Sequence, residues 1–253
     1  MIVTFLGTGT SQGIPVIACD CEVCQSMDYR DARTRTSVHI ELGDLSLIID
    51  TGPDFRHQVL RERIKRLDAV IFTHEHKDHT AGLDEVRSFN FKQNMDMPIY
   101  GEKRVLKQLK QEFEYIFSEN KYPGVPRVDS HEINTEPFSI NGQDILPIRV
   151  LHYKLPVLGF RINGFTYITD ANQISKEEKE KVIGSEVIVI NALQKESHIS
   201  HYNLKEALEL ITELKPKKAF LTHISHKLGF HENISSEIPE NVFLAYDGLK
   251  INI

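Results

Sequence analysis

The stretch A-V-I-F-T-H-E-H-K-D-H, residues 69–79, joins an apolar run to three histidines and an aspartate within six residues. Imidazole nitrogen and carboxylate oxygen are the donors that zinc, manganese and iron(II) accept in proteins. The apolar residues 69–72 predict a strand, and the end of a strand would present these donors on a rigid sheet. Donors at this density favour a metal site over the alternative of a solvated polar turn.

Four donors in one turn favour two adjacent ions, because alternating residues of an extended chain point in different directions and cannot all reach one ion. Two ions about 3.5–4 Å apart suit hydrolysis, since a metal-activated hydroxide can attack while both ions stabilise the developing charge. Such a centre needs further ligands. Three candidates each follow a short β-type run: His152 after residues 148–151, Asp170 after 166–169 and His223 after 219–222.

This ordered set resembles the metallo-β-lactamase superfamily, whose motif H-x-H-x-D-H stands here at residues 74–79. The resemblance covers the whole chain, from L-G-T-G-T at residues 6–10 through D-T-G at 50–52 to Asp247 and Gly248. It implies an α/β fold, the αββα sandwich, in which two mixed β-sheets are flanked by helices. It also implies a ligand set, with His74, His76 and His152 for the first ion, Asp78, His79 and His223 for the second, and Asp170 as the bridge.

All three cysteines of the chain stand in C-D-C-E-V-C, residues 19–24. An odd number cannot close as internal disulfides, and thiolate ligation to zinc is favoured in a cytoplasmic setting. Three thiolates need a fourth donor to complete a tetrahedral structural site, and His226 is the candidate. The alternative is three unrelated free thiols. We expect one domain over residues 1–253, with residues 16–36 as a zinc-held insertion.

The motifs together resemble a narrower family, the phosphoribosyl cyclic phosphate phosphodiesterases (PhnP-like), which serve the carbon–phosphorus lyase pathway. They are G-T-G-T-S-Q-G-I-P at residues 7–15, the cysteine cluster, the metal motif and T-H-I-S-H at 222–226. The resemblance implies a dinuclear phosphodiesterase centre, a homodimer and assistance to the departing alkoxide by His201. It also implies a separate structural zinc held by Cys19, Cys21, Cys24 and His226.

His201 is also indicated by its own surroundings. Asn203 and Glu206 have the spacing of a capping box that starts a helix over residues 204–214, whose expected apolar face comprises Leu204, Ala207, Leu208, Ile211 and Leu214. A helix N-terminus favours phosphate, and a nearby histidine can protonate a leaving oxygen or hold the phosphate as a cation. His198 is the competing candidate. We take His201 and the ligand Asp78 as the catalytic residues.

Composition limits the partners. The net charge is −6, with 30 basic against 36 acidic side chains, which disfavours a long nucleic acid. The lysine-rich residues 103–110 are interpreted as the solvated side of a helix over 102–117, with Leu106, Leu109, Phe113 and Ile116 on its apolar face. No apolar stretch approaches the roughly 20 residues of a membrane span, and residues 2–6 lack signal-peptide features, so we expect a cytoplasmic location without membrane association.

Along the rest of the chain, strands are expected at residues 157–163, 165–169, 186–190 and 217–221, a helix at 175–183, and a loop at 120–126 that rims the pocket. The favoured function is hydrolysis of a small phosphodiester, with a cyclic ribosyl phosphate as one form of it. Two catalytic ions, zinc or manganese with iron or nickel also compatible, and one structural zinc are expected.

Three other functions are alternatives to this one. A ribonuclease Z-type tRNA 3′-end endonuclease shares the metal motif, but the acidic balance and the lack of a long glycine- and lysine-rich insertion disfavour it. A carboxylic-ester, thioester or lactone hydrolase is a further alternative. A di-iron redox protein on the same fold is disfavoured, because it would carry a flavin domain and a carboxylate in place of His76.

Overall fold

The computed structural model describes residues 1–118 and 122–253, and within these the chain forms two mixed β-sheets. The first sheet has the order β15-β1-β2-β3-β4-β5-β6, antiparallel from β15 to β3 and parallel from β3 to β6. Its strands are β1 (Ile2–Gly7), β2 (Ser37–Leu42), β3 (Leu45–Ile49), β4 (Ala69–Ile71), β5 (Met97–Gly101), β6 (Val128–Glu132) and β15 (Lys250–Asn252).

The second sheet has the order β11-β8-β9-β10-β12-β13-β14, with β7 paired to β8. Its strands are β7 (Phe138–Ile140), β8 (Gln143–His152), β9 (Leu155–Ile162), β10 (Phe165–Tyr167), β11 (Gln173–Ile174), β12 (Val187–Asn191), β13 (Lys218–Thr222) and β14 (Val242–Leu244). Parallel pairing runs from β10 to β14 and antiparallel pairing from β11 to β10.

Helices cover the outer faces of both sheets. They are α1 (Phe55–Glu62), α2 (Lys77–Thr80), α3 (Arg87–Gln93), α4 (Lys103–Glu112), α5 (Glu114–Phe117), α6 (Lys176–Val182), α7 (Leu204–Leu214) and α8 (His231–Glu237), with a 3₁₀ turn at Leu83–Val86. One apolar cluster lies between the sheets, and two others lie between a sheet and its helices. The αββα sandwich expected from the sequence is therefore confirmed.

Strands covered on both faces are continuous apolar runs. Every residue of β3, β4 and β12 is buried, as expected for strands between a helix layer and a second sheet. Because β4 and β3 are buried, the apolar runs that precede His74 and Asp50 have the sequence pattern of strands. Among the described residues, no helix is both long and apolar enough to cross a membrane.

The expected element bounds are close to those observed, with two corrections. The helix predicted over 102–117 is broken at Phe113, whose φ of −116° and ψ of 44° are not helical, so α4 and α5 are separate. The strand predicted over 165–169 ends at Tyr167, and the backbone becomes left-handed three residues later, at Asp170. Helix α7 has the predicted bounds, but Leu210 is buried on its apolar face and Leu208 only partly. Part of the loop predicted over 120–126 lies outside the described residues.

Residues 8–36, between β1 and β2, form turns that are joined to one another by isolated bridges from Ile14 to Arg33 and from Gly9 to Arg35, and a bridge from Gly9 to Ile224 ties them to the body of the protein. Arg33 is buried and donates from Nη1 to Thr8 Oγ1 at 2.8 Å, while its Nη2 lies 3.1 Å from Nδ1 of His231. This buried guanidinium fixes the segment that carries the cysteines. The division into one domain with a zinc insertion at 16–36 stays a prediction.

Candidate metal centres

The predicted catalytic ligands come together where several strands end. His74 follows β4, His152 ends β8, Asp170 follows β10 and His223 follows β13. Asp170 and His223 both have a left-handed backbone, with φ of 54°. Such a conformation costs about 1–3 kcal/mol and is typical of functional sites. Here the left-handed backbone turns the side chains of Asp170 and His223 away from the strand direction and into the same buried site.

Three imidazole rings predicted for the first ion face one another. The ring centroid of His74 lies 4.5 Å from that of His76 and 6.0 Å from that of His152, and the last two are 5.3 Å apart. Nδ1 of His152 is 2.8 Å from the carbonyl oxygen of Ser200. A hydrogen bond from Nδ1–H to this carbonyl leaves Nε2 of His152 available as a ligand.

A second group collects the other predicted ligands. One donor atom from each of Asp78, His79, Asp170 and His223 lies within 4.8 Å of all the others. His79 Nε2 is 3.2 Å from Oδ2 of both Asp78 and Asp170, and His223 Nδ1 is 3.2 Å from Asp170 Oδ2. Asp170 thus contacts two predicted ligands of the second ion, and its role as the bridging carboxylate stays a prediction.

Two buried nitrogen atoms support a metal here. Nε2 of His74 and Nε2 of His79 are buried and have no hydrogen-bond partner with acceptable geometry. Leaving such atoms without a partner costs free energy, so the polypeptide alone leaves the site incomplete. The residues present thus fit divalent ions bound by imidazole and carboxylate.

Burial keeps several histidines of the site in the neutral form. Burial lowers the pKa of His74 and of His152, and it lowers the pKa of His223 to about 4. Three of the predicted ligands are therefore neutral at pH 7. Neutral imidazole is the form that binds a metal, so no proton has to be removed from these rings.

At His79, neighbouring carboxylates shift the pKa in the opposite direction. Burial lowers the pKa of His79, but Asp170, Asp78 and Asp50 outweigh it and raise that pKa well above the usual value. Burial raises the pKa of Asp170, yet His223 and His79 bring it well below the usual value. The carboxylates of the buried site therefore stabilise positive charge, which a divalent cation would also supply.

Asp50 is a site residue whose role was not predicted. It is fully buried, with Oδ2 2.7 Å from His79 Nδ1, and it accepts from the backbone N–H of Thr73 at 2.9 Å and from the Thr73 hydroxyl at 2.8 Å. It therefore orients His79 so that Nε2 faces the site. The sequence marks Asp50 only as part of a D-T-G turn, and its contact with His79 requires β3 to lie beside β4.

We expect Asp50→Asn to weaken metal binding by about 10–100-fold, the usual effect of losing a partner that orients a ligand. The amide keeps the size of the side chain but removes a charge facing His79. Chelator competition measures the loss, with Asp44→Asn in the exposed β2–β3 turn as the control. Equal affinities of the two variants would show that Asp50 does not orient a ligand.

His201 lies beside the second group and is itself buried. Its Nε2 is 3.2 Å from Asp170 Oδ1, and its Nδ1 is 3.1 Å from Ser200 Oγ and 3.3 Å from Nδ1 of His198. His152, Asp170 and His201 also form a group within ligand reach. His198 is exposed and contacts the ring nitrogen of His201 that is opposite the carboxylate, which favours His201 over the competing candidate.

The predicted capping box is present at the start of α7. Asn203 Oδ1 accepts from Glu206 N at 2.9 Å, and, outside the box, Leu204 N donates to Gln194 O at 2.9 Å. These two N–H groups therefore already have acceptors within the protein. The dipole of α7 still favours negative charge near His201.

The four predicted zinc ligands lie together at a separate place. The sulfur atoms of Cys19, Cys21 and Cys24 are 3.3, 3.3 and 3.5 Å from Nδ1 of His226. A hydrogen bond from the backbone of Cys24 lowers the pKa of Cys21 to about 6, whereas burial raises that of Cys24 to about 11. Three cysteines and one histidine are one of the donor sets that hold structural zinc. The alternative of three unrelated thiols does not explain their convergence on one imidazole.

We expect about three metal ions per chain in fully loaded protein, two in the catalytic group and one at the cysteines. Cys21→Ser should lose one ion and much thermal stability while both catalytic ions remain. Elemental analysis and thermal unfolding measure the two effects. Rapid alkylation of Cys21 in loaded wild-type protein would contradict a zinc site there.

The family model for the Beta-lactamase superfamily domain matches residues 46–224, more than half of the chain, and contains the converging strand ends described above. The chain belongs to the metallo-β-lactamase superfamily. Within that superfamily it is PhnP-like. The crystal structure of a new diphosphatase from the PhnP family is 36% identical, with a TM-score of 0.93 over 100% of this chain and 97% of that one.

Curated relatives also match. An octanoyltransferase of Porphyromonas gingivalis is 36% identical over 97% of this chain and 50% of its own length. A ribonuclease Z of Staphylococcus epidermidis is 28% identical over 64% of this chain and 49% of its own length. This superfamily member thus spans about half the length of the curated relatives it matches. Its fold, with diphosphatase and ribonuclease relatives, makes it a metal-dependent hydrolase.

Proposed function

We propose that this hydrolase is a phosphodiesterase that cleaves a small phosphodiester, with cyclic ribosyl phosphates and diphosphate esters as the leading classes. The first class follows from the PhnP-like motifs, and the second from the diphosphatase relative. The catalytic ions are zinc or manganese under this proposal, and the structural ion is zinc.

The proposal assigns His74, His76 and His152 to the first ion and Asp78, His79 and His223 to the second, with Asp170 between them. Bound ions would supply an activated water and neutralise charge on the phosphoryl oxygens. The chain's own contribution is to fix these ligands on strand ends and to hold His79 through Asp50. The site therefore needs little rearrangement to accept a substrate.

The observation that carries the proposal is the position of His201. Its Nε2 lies 3.2 Å from the carboxylate predicted to bridge the ions, while the opposite ring nitrogen faces Ser200 and His198. A phosphodiester releases an alkoxide, which leaves poorly unless it is protonated. A histidine imidazolium beside the centre can give that proton.

The test is a panel of substrates with protein loaded with zinc or manganese. The panel comprises a ribose cyclic phosphate, a cyclic nucleotide, a diphosphate-linked dinucleotide, a lactone and an octanoyl thioester. We expect kcat/KM for a phosphate substrate to exceed that for the lactone and the thioester. Preference for the octanoyl thioester would overturn the proposal and point to acyl chemistry.

Ribonuclease Z activity is the second candidate, because curated ribonucleases of this kind match 64–65% of the chain. The net charge of −6 opposes it, since binding a long RNA relies on basic side chains. A precursor tRNA with a 3′ trailer therefore belongs in the same assay. Cleavage at the 3′ end with higher kcat/KM than any small phosphodiester would replace the first proposal by this one.

The homodimer and the cytoplasmic location also stay predictions. Light scattering of the loaded protein measures the oligomeric state directly.

A further inference from the structure

Helix α4 contacts the metal-binding loop at two points. In the motif H-E-H-K-D-H, Glu75 and Lys77 alternate in sequence with the predicted ligands, and both form ion pairs with α4. A guanidinium nitrogen of Arg104, in the first turn of α4, binds the carboxylate of Glu75. At the other end of the helix, Lys77 Nζ lies 2.7 Å from Glu112 Oε2. One helix thus holds both of the intervening residues.

Arg104 also reaches the second sheet. Its other terminal nitrogen donates to the backbone carbonyl of Pro156, which pairs with Leu151 in the β8–β9 hairpin. His152 is the next residue of that hairpin. A single guanidinium therefore bridges the loop that carries His76 and the hairpin that carries His152.

Glu102 extends this contact. Its Oε2 lies 3.3 Å from Nη2 of Arg104 and 2.9 Å from Nη1 of Arg149, and Arg149 is three residues before His152 on β8. Glu75, Arg104 and Glu102 keep 23%, 28% and 15% of their side chains exposed. These partly buried charges form a continuous network, which is worth more than an isolated surface pair.

Helix α4 is itself firmly placed. Val105, Leu106 and Leu109 are buried in the apolar cluster on the outer face of the first sheet. Arg104 therefore extends from a fixed backbone and can hold other elements in position. The interpretation of residues 103–110 as a solvated face applies to the exposed Lys103, Lys107 and Lys110 but not to Arg104.

We propose that Arg104 is a positioning residue for the first metal site, where it sets the distance between His76 and His152 by bridging Glu75 and Pro156. This inference rests on the ligand set assigned under the proposed function. Arginine suits the task because its planar fork can bind a carboxylate and a carbonyl at once, which a lysine ammonium on a single flexible stem does less well.

Cobalt(II) is the probe, since its optical spectrum reports the geometry of the ligands and chelator competition reports its affinity. We expect Arg104→Met to weaken the first cobalt ion by about 10–100-fold, to change its visible spectrum and to leave the second ion unchanged. Arg104→Lys should recover only part of the affinity. Lys107→Met, on the exposed side of the same helix, should behave as wild type.

Glu75→Gln gives an independent test, because it keeps the size of the side chain and the helix intact. It should reproduce the spectral change of Arg104→Met with little effect on thermal unfolding of the metal-free protein. If both variants bind cobalt as Lys107→Met does, with an unchanged spectrum, Arg104 does not position the site. If wild-type protein fails to bind two cobalt ions outside the cysteine site, the proposed ligand set fails first.

Discussion

Asp170→Ala is expected to lose both catalytic ions and nearly all turnover together. Asp170 Oδ2 faces His79 and His223, and Oδ1 faces His201. Its removal takes a donor from both ions and the charge that offsets them. The loss of affinity should exceed the roughly 100-fold typical of a residue that only orients a ligand. Elemental analysis and turnover, measured on the same sample, check this.

Two variants make the result specific. Asp170→Asn keeps the shape but not the charge, and it should fall between alanine and wild type in metal content. Asp129→Ala removes an exposed aspartate from β6 and should retain all metals. Full metal content with near-normal turnover in Asp170→Ala would show that Asp170 is an ordinary turn residue.

His201→Ala is expected to lower turnover on an unactivated phosphodiester by roughly 10²–10⁴, the usual contribution of a positioned general acid. An activated nitrophenyl diester should lose less, because its phenolate departs without much protonation. Equal losses on the two substrates would indicate that His201 positions the phosphate instead. The comparison therefore separates proton transfer from binding.

Metal content decides whether His201 is a ligand. The ring lies within ligand reach of His152 and Asp170, so the structure alone permits coordination. We expect His201→Ala to keep both catalytic ions and His198→Ala to have a smaller effect on turnover. Loss of an ion in His201→Ala, or a larger defect in His198→Ala, would overturn the assignment.

Motifs whose residue types and spacing indicate the same structure or site could be predicted from the sequence. The density of donors at residues 74–79 marks a metal site by itself, and the spacing of Asn203 and Glu206 predicts the start of α7, which the structure confirms. Continuous apolar runs such as β3, β4 and β12 identify the inner strands. These signals are local, so neighbours along the chain suffice to recognise them.

Contacts between distant elements were not predictable. Asp50 meets His79 only because β3 and β4 are parallel neighbours, and Arg104 meets Glu75 only because α4 packs across the first sheet. The use of the Leu204 N–H group by Gln194 O likewise depends on a separate loop.

The segment between β13 and α8 places a constraint on evolution. It supplies His223 to the catalytic centre and His226 to the cysteine site. Between them, the backbone N–H of Ile224 donates to Thr8 O at 2.9 Å, and the carbonyl of Ile224 accepts from Thr10 N at 3.1 Å. Adding or deleting one residue here would move a ligand of one site relative to the other. Surface loops usually tolerate such length changes, but this one must keep its length in any relative that retains both sites.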